Sequence, residues 1–193
     1  LSRKTLLLHA CCAPCFSYVY ELLKNDHLIV PYYFNPNISP GDEYSKRLDE
    51  LESFTRKKGL SLIIGQYDTE SWRECVRDYR FQGEGSERCR ECFRLRLDST
   101  FRTAVDAGAA MAGTVMSISP HKDSAVLNSI GSELRDKYGM EYLESDFKRN
   151  GGFEKSVIMS RQYGFYRQNY CGCLYSRNER TRDRALLKKI RSF

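Results

Sequence analysis

The sequence predicts an α/β fold built on a mostly parallel sheet, in one domain of 193 residues. Short apolar, β-rich runs alternate with stretches of helical periodicity, which is the pattern of βαβ units. A chain of this length holds one core, because a domain of about 150 residues already buries roughly 68–70% of its unfolded surface. No internal repeat, linker or low-complexity segment divides it.

Residues 5–10 form the first expected strand, a continuous Leu6-Leu7-Leu8 run without alternation, as in a strand buried on both faces. Pro14 sits where a helix can begin, and Val19, Leu22 and Leu23 give that helix an inner face to about Lys24. Residues 28–34 are β-rich and are stopped by Asn35-Pro36-Asn37. Tyr44, Leu48, Leu51 and Phe54 recur at helical spacing, Gly59 closes that helix, and residues 60–64 are the third strand. Trp72, Val76 and Tyr79 suggest a turn or two of helix. Gly83 and Gly85 then open a polar loop, with Cys89 and Cys92 at its end.

Leu97, Phe101, Ala104 and Val105 mark a long helix closing at Gly108, and residues 113–118 read as a fourth strand. Ser119-Pro120 reads as an N-cap followed by proline, with Leu127, Ile130 and Leu134 carrying the helix onward. Residues 140–143 give a fifth strand, Asn150-Gly151-Gly152 a turn, and 153–159 a short helix. Ser176 and Glu179 form a capping box ahead of a final basic helix with Leu186, Leu187 and Ile190 inward.

In such sheets ligands lie beyond the carboxyl ends of the strands. Here the loop after the first strand carries Cys11, Cys12 and Cys15, three cysteines within five residues. Cys89 with Cys92 and Cys171 with Cys173 form two further tight groups. A disulfide framework suits small secreted scaffolds that lack a core, so metal or redox chemistry is the stronger reading of these thiols. Cys12-x-x-Cys15 with Cys89-x-x-Cys92 would complete a structural zinc site of four thiolates. Seven clustered thiols exceed that need, however, and the surplus favours a reactive centre such as a [4Fe–4S] cluster with a second metal or a redox pair. Cys75 stands apart as an ordinary buried cysteine.

Other candidates are His9, one residue before the cysteine loop, as a proton or hydrogen-bond donor, and Asp146 or Asp123 as an oxygen ligand. Each has a plain alternative, such as a strand-end histidine or an aspartate favouring a helix dipole. No Walker, nicotinamide or flavin signature is present, so electrons would come from an external donor.

The formal net charge of +6 is unevenly spread: residues 148–193 hold 12 Lys and Arg against three Asp and Glu, leaving 19 against 22 before them. A basic face of this kind suits phosphate, or is simply solvated. Tyr166, Arg167 and Tyr170, with Tyr163 and Phe165, interleave rings and cations as unstacked bases require, and Arg180 and Arg184 continue the charge. Aromatic packing beneath a basic surface is the competing reading. The lack of a long apolar run or cleavage pattern points to a soluble, cytoplasmic protein with no membrane contact.

The motifs Leu-Leu-Leu-His-Ala-Cys-Cys-Ala-Pro-Cys, Asn35-Pro36-Asn37-Ile38, Arg88-Cys89-x-x-Cys92, Ser119-Pro120, Asp146-Phe147 and Tyr166-Arg167-Gln168-x-Tyr170-Cys171-Gly172-Cys173 resemble the QueH family of epoxyqueuosine reductases over nearly the whole chain. The resemblance implies a Rossmann-like parallel sheet sandwiched by helices, similar to the adenine nucleotide α-hydrolase or PP-loop fold. Cys11 to Cys15 would stand there in place of a phosphate loop. It implies reductive removal of the epoxide oxygen from epoxyqueuosine at a tRNA wobble position. It also implies a [4Fe–4S] cluster and an adjacent mononuclear iron held by the seven cysteines and an aspartate, Asp146 before Asp123. The alternatives are a tRNA-binding protein with a structural zinc and another iron–sulfur tRNA-modifying enzyme.

Overall fold

A computed structural model describes the backbone of residues 3–191 and the side chains of residues 3–182. Five parallel strands run in the order β3-β2-β1-β4-β5, where β1 is Lys4–His9, β2 His27–Tyr33, β3 Ile63–Ile64, β4 Met111–Thr114 and β5 Glu141–Tyr142. The central position of β1 explains its unbroken leucines, since Leu6, Leu7 and Leu8 are all fully buried. Leu6 and Leu8 pack into the core on one face of the sheet with Phe16, Val19, Leu51 and Phe54. Leu7 enters the opposite core with Phe93, Leu97, Phe101, Leu127 and Ile130.

The first core is covered by α1 (Ala13–Leu23) and α2 (Gly41–Lys57), with α6 (Gly152–Gln162) beside α1. The second is covered by α4 (Glu87–Asp106) and α5 (Ser124–Tyr138). A short α3 (Thr69–Val76) packs on α4, and α7 (Leu174–Arg191) ends the described chain. Among the described residues, no helix is long and apolar enough to cross a membrane.

Several expected boundaries shift, each for a local reason. Cys89 and Cys92 do not close a loop; they lie in the first turns of α4. The fourth strand ends at Thr114, whose Oγ1 accepts from the Met116 N–H at 3.1 Å and starts a 3-10 turn over Val115–Ile118. Ser119-Pro120 does not cap α5. Asp123 does, its Oδ1 accepting from the Ala125 and Val126 N–H groups at 2.8 and 3.4 Å. Ser176 lies inside α7 rather than at its cap, and its hydroxyl serves the cysteine segment instead. The side chains of Leu186, Leu187 and Ile190 fall outside the described residues.

Close packing of α5 on β5 depends on Gly131, where an added Cβ would lie 2.1 Å from Cε1 of the buried Tyr142 ring. Gly131→Ala is therefore expected to destabilise the protein by about 1–3 kcal/mol, read as a lower urea midpoint at matched metal content.

Candidate metal centre

The carboxyl end of β1 is held by buried polar contacts. His9 is fully buried, its Nε2 donating to the Phe34 carbonyl at 3.1 Å and its Nδ1 accepting from the Thr114 hydroxyl at 3.0 Å. Burial, with the nearby Arg96 guanidinium, lowers its pKa to about 3, so the ring is neutral. The Ala10 N–H donates to the Tyr32 carbonyl, and the Ala10 carbonyl accepts from Asn35 Nδ2 at 2.9 Å. His9 is thus a fixed crossbar between strands; as placed, it has no free nitrogen to offer a substrate.

Immediately beyond, the Sγ atoms of Cys11, Cys12 and Cys15 lie within 4.8 Å of one another, with Cys11 and Cys12 3.8 Å apart. Two thiolates on one tetrahedral ion with bonds of about 2.3 Å are separated by about the same distance. Hydrogen bonds from Cys11 and Cys15, the Arg47 charge and Gln168 hold Cys12 well below the usual thiol range, while hydrogen bonds with Cys11 and Cys12, with burial, push Cys15 well above it. Gln168 Nε2 donates to Cys12 Sγ at 3.2 Å. The Gln168 Oε1 is buried without a hydrogen-bond partner among the described residues.

The remaining clustered thiols come from α4 and from the segment just before α7. Burial pushes Cys89 up to about 11, reinforced by Cys171 and Cys92 after an opposing hydrogen bond from Gly85 N. Burial likewise raises Cys173, with Cys171 and Cys92 adding to it. Cys92 and Cys173 pack together with Trp72 and Val76. The thiols that lie within ligand distance of one another are Cys11, Cys12 and Cys15, whereas Cys92 packs with Cys173. All eight cysteines are free thiols, and half-buried Cys75 packs against the Trp72, Val76, Cys92 and Cys173 cluster with its Sγ toward the Glu91 carbonyl.

Lys122 lies close to Cys11, Cys15 and Cys171. Burial alone would lower its pKa, but Cys171, Cys11 and Cys15 outweigh that and raise it. It lines a cavity of about 170 Å³ together with Cys11, Cys15, Cys171, Gln168 and Arg180. Glu84 and Arg167 line the same cavity, and Glu84 Oε2 accepts from the Ser176 hydroxyl, which itself accepts from the Cys171 N–H.

Two buried arginines join the cysteine blocks. Arg96 donates to Asn35 Oδ1 at 2.5 Å and lies against Cys92, linking the β1 end to α4. Arg47 donates from Nε to Glu43 at 2.8 Å and from Nη1 to the Cys171 carbonyl at 3.1 Å, and it lies 5.4 Å from the Tyr170 ring centroid. Neither was singled out from the sequence. Their signal was a cation inside an apolar helical stripe: Tyr44, Arg47, Leu51 and Phe93, Arg96, Leu97.

The other expected residues have different surroundings. Asp146 is clasped by Lys148 at 3.1 Å and Arg149 at 3.0 Å, and Asp123 is occupied as the α5 cap. Tyr166 is held on α2 by Glu43 and by Lys46, 3.6 Å from its ring centroid. Tyr170 donates to the Ser39 carbonyl at 2.8 Å. These two rings pack on the body, whereas Arg167 is exposed and Arg180 half-buried at the cavity. The side chain of Arg184 lies outside the described residues.

A family model described as epoxyqueuosine reductase QueH matches residues 6–179. An epoxyqueuosine reductase QueH of Streptococcus pyogenes is 38% identical, over 97% of this chain and 76% of its own. One from Thermotoga maritima is 33% identical over 97% of both chains. The structure of a U34-tRNA thiolase, NcsA, from Methanococcus maripaludis with its [4Fe-4S] cluster superposes with a TM-score of 0.55 at 13% identity, covering 98% of this chain and 68% of that one. That likeness bears on the fold.

Removing the Arg47 guanidinium leaves Glu43 and the Cys171 carbonyl unpaired in a buried place. Arg47→Met is expected to cost about 3–5 kcal/mol in thermal or urea unfolding. Limited proteolysis should then cut faster within residues 166–173.

Proposed function

The chain belongs to the epoxyqueuosine reductase QueH family, and on that premise we propose that it reductively removes the epoxide oxygen of epoxyqueuosine at the wobble position of a tRNA. The observation that carries this reading is the meeting of the Cys11, Cys12 and Cys15 group with Cys171 at one cavity beside Lys122. The reaction consumes two electrons and two protons per epoxide, leaves an alkene and releases the oxygen as water; an external one-electron donor supplies the electrons.

Donor chemistry supports iron: seven thiols from three stretches, soft and undivided by disulfides, exceed the demand of one tetrahedral ion and suit a cluster beside a second metal. Cys11, Cys12 and Cys15 on one side, and Cys89, Cys92, Cys171 and Cys173 on the other, would hold them. A [4Fe–4S] cluster with an adjacent mononuclear iron would supply single electrons and a Lewis acid for the epoxide oxygen.

The chain's own groups do the rest. Lys122 offsets thiolate charge at the cavity floor, and Gln168 withdraws electron density from Cys12 through its N–H. Glu84, His121 and Lys122 are wall groups placed to hold a proton near a bound ring. In this reading His9 positions the cysteine loop. Asp146 and Asp123 serve the surrounding loops, and neither is needed as a ligand. Arg167 and Arg180 hold substrate phosphates, with Tyr166 and Tyr170 forming the wall behind them.

Anaerobic incubation of the iron-loaded protein with a chemical one-electron donor and epoxyqueuosine-bearing tRNA, followed by nucleoside mass spectrometry, tests the reading. Queuosine should accumulate, and Cys12→Ser should drop conversion to background. A thiolated nucleoside instead, or full conversion by the variant, would contradict it. Gln168→Leu, which deletes the N–H donated to Cys12, should lower the midpoint potential of the loaded protein in a spectroelectrochemical titration.

A further inference from the structure

The loop between α3 and α4 separates two recesses. Glu84 faces the thiol cavity, while Arg80, Phe81 and Gln82 face a second groove of about 270 Å³. α7 spans both in the same way: Arg180 reaches the cavity, and Asn178 and Arg182 line the groove. Three residues of chain place the Phe81 and Glu84 Cα atoms within about 11 Å of each other, a gap that adjoining unstacked nucleotides bridge.

Phe81 is 88% exposed. Its ring is not left to water on both faces, because the Arg80 guanidinium sits 4.4 Å from its centroid. Arg80 itself donates to the Arg77 carbonyl at 2.8 Å and pairs with no carboxylate among the described residues. Tyr175 forms part of the groove, its ring 4.7 Å from the Arg88 guanidinium. An exposed phenyl ring backed by a guanidinium, next to a basic helix, offers a flat apolar face with cations at its edge. That is the chemistry of an unpaired nucleic-acid base: a π-face for the ring and positive charge for its phosphate.

We propose that Phe81, backed by Arg80, is a stacking platform for an unpaired base adjoining the nucleotide that enters the thiol cavity. This rests on the reading of the substrate as tRNA. Phe81 supplies affinity without charge, and Arg80, Arg180 and Arg182 supply the phosphate contacts on either side of it.

The test is equilibrium binding of an anticodon stem–loop RNA with guanosine at the wobble position, by fluorescence anisotropy, to the iron-loaded protein, Phe81→Ala and Phe81→Trp. Because the ring is exposed, the alanine variant keeps the fold. It should bind about 5- to 150-fold more weakly, the loss of one stacked base. The slope of log affinity against log salt should stay unchanged, since no phosphate contact is removed. Phe81→Trp should bind as the native chain does or more tightly. Native-like affinity of Phe81→Ala would overturn the platform while leaving the tRNA reading intact, also if that variant had lost affinity for a protein electron donor instead. Failure of the native protein to bind the RNA would overturn both.

Discussion

The geometry of the site depends on how the central strand ends. β1 is covered on both faces, so every polar group at its carboxyl end has to find a partner inside the protein. His9 reaches β4 through Thr114 and the segment after β2 through the Phe34 carbonyl, and Asn35 closes on the Ala10 carbonyl. These bonds set the point and direction at which the chain leaves the sheet. The three thiols that follow immediately are therefore placed by backbone and side-chain contacts that do not require a metal.

Bringing the two downstream cysteine pairs to the same place is the task of two buried cations. Arg96 extends the Asn35 network to Cys92, and Arg47 holds the carbonyls around Cys171 from α2. A buried guanidinium is costly unless each of its faces meets an acceptor or an anion. Glu43 and the thiols offset that cost for Arg47, and Arg47 with Lys122 puts positive charge at the cavity beside the sulfurs. These cations favour the thiolate forms of Cys11, Cys12 and Cys92 against the burial that disfavours them. In a parallel sheet this edge is where ligands bind, and here the first loop offers sulfur donors.

Much of this was legible in the sequence. The five strands, their order along the chain and the close group of Cys11, Cys12 and Cys15 follow from apolar periodicity and cysteine spacing. Boundaries moved where a side chain competed with the backbone for a hydrogen bond: the Thr114 hydroxyl shortened β4, and Asp123 took the cap expected of Ser119. Residues 166–170 show the limit of composition as a guide. A run of rings and cations suits RNA equally well as it suits packing, and only tertiary contacts showed Tyr166 and Tyr170 engaged with α2 and Ser39. Arg47, Arg96 and Gln168 were hidden for a related reason. Their partners are carbonyls and sulfurs more than 60 residues away in the chain or, for Gln168, 156. Periodicity does not record such distances, although a cation on an apolar stripe hints at them.

We propose that the seven thiols hold two neighbouring metal centres beside Lys122. Anomalous diffraction from crystals of the anaerobically purified protein, collected across the iron absorption edge, tests it directly. The expected result is iron in contact with Cys11, Cys12 or Cys15 and iron in contact with the Cys89, Cys92, Cys171 and Cys173 group. A single zinc bound by Cys12, Cys15, Cys89 and Cys92, with Cys171 and Cys173 left free, would contradict it.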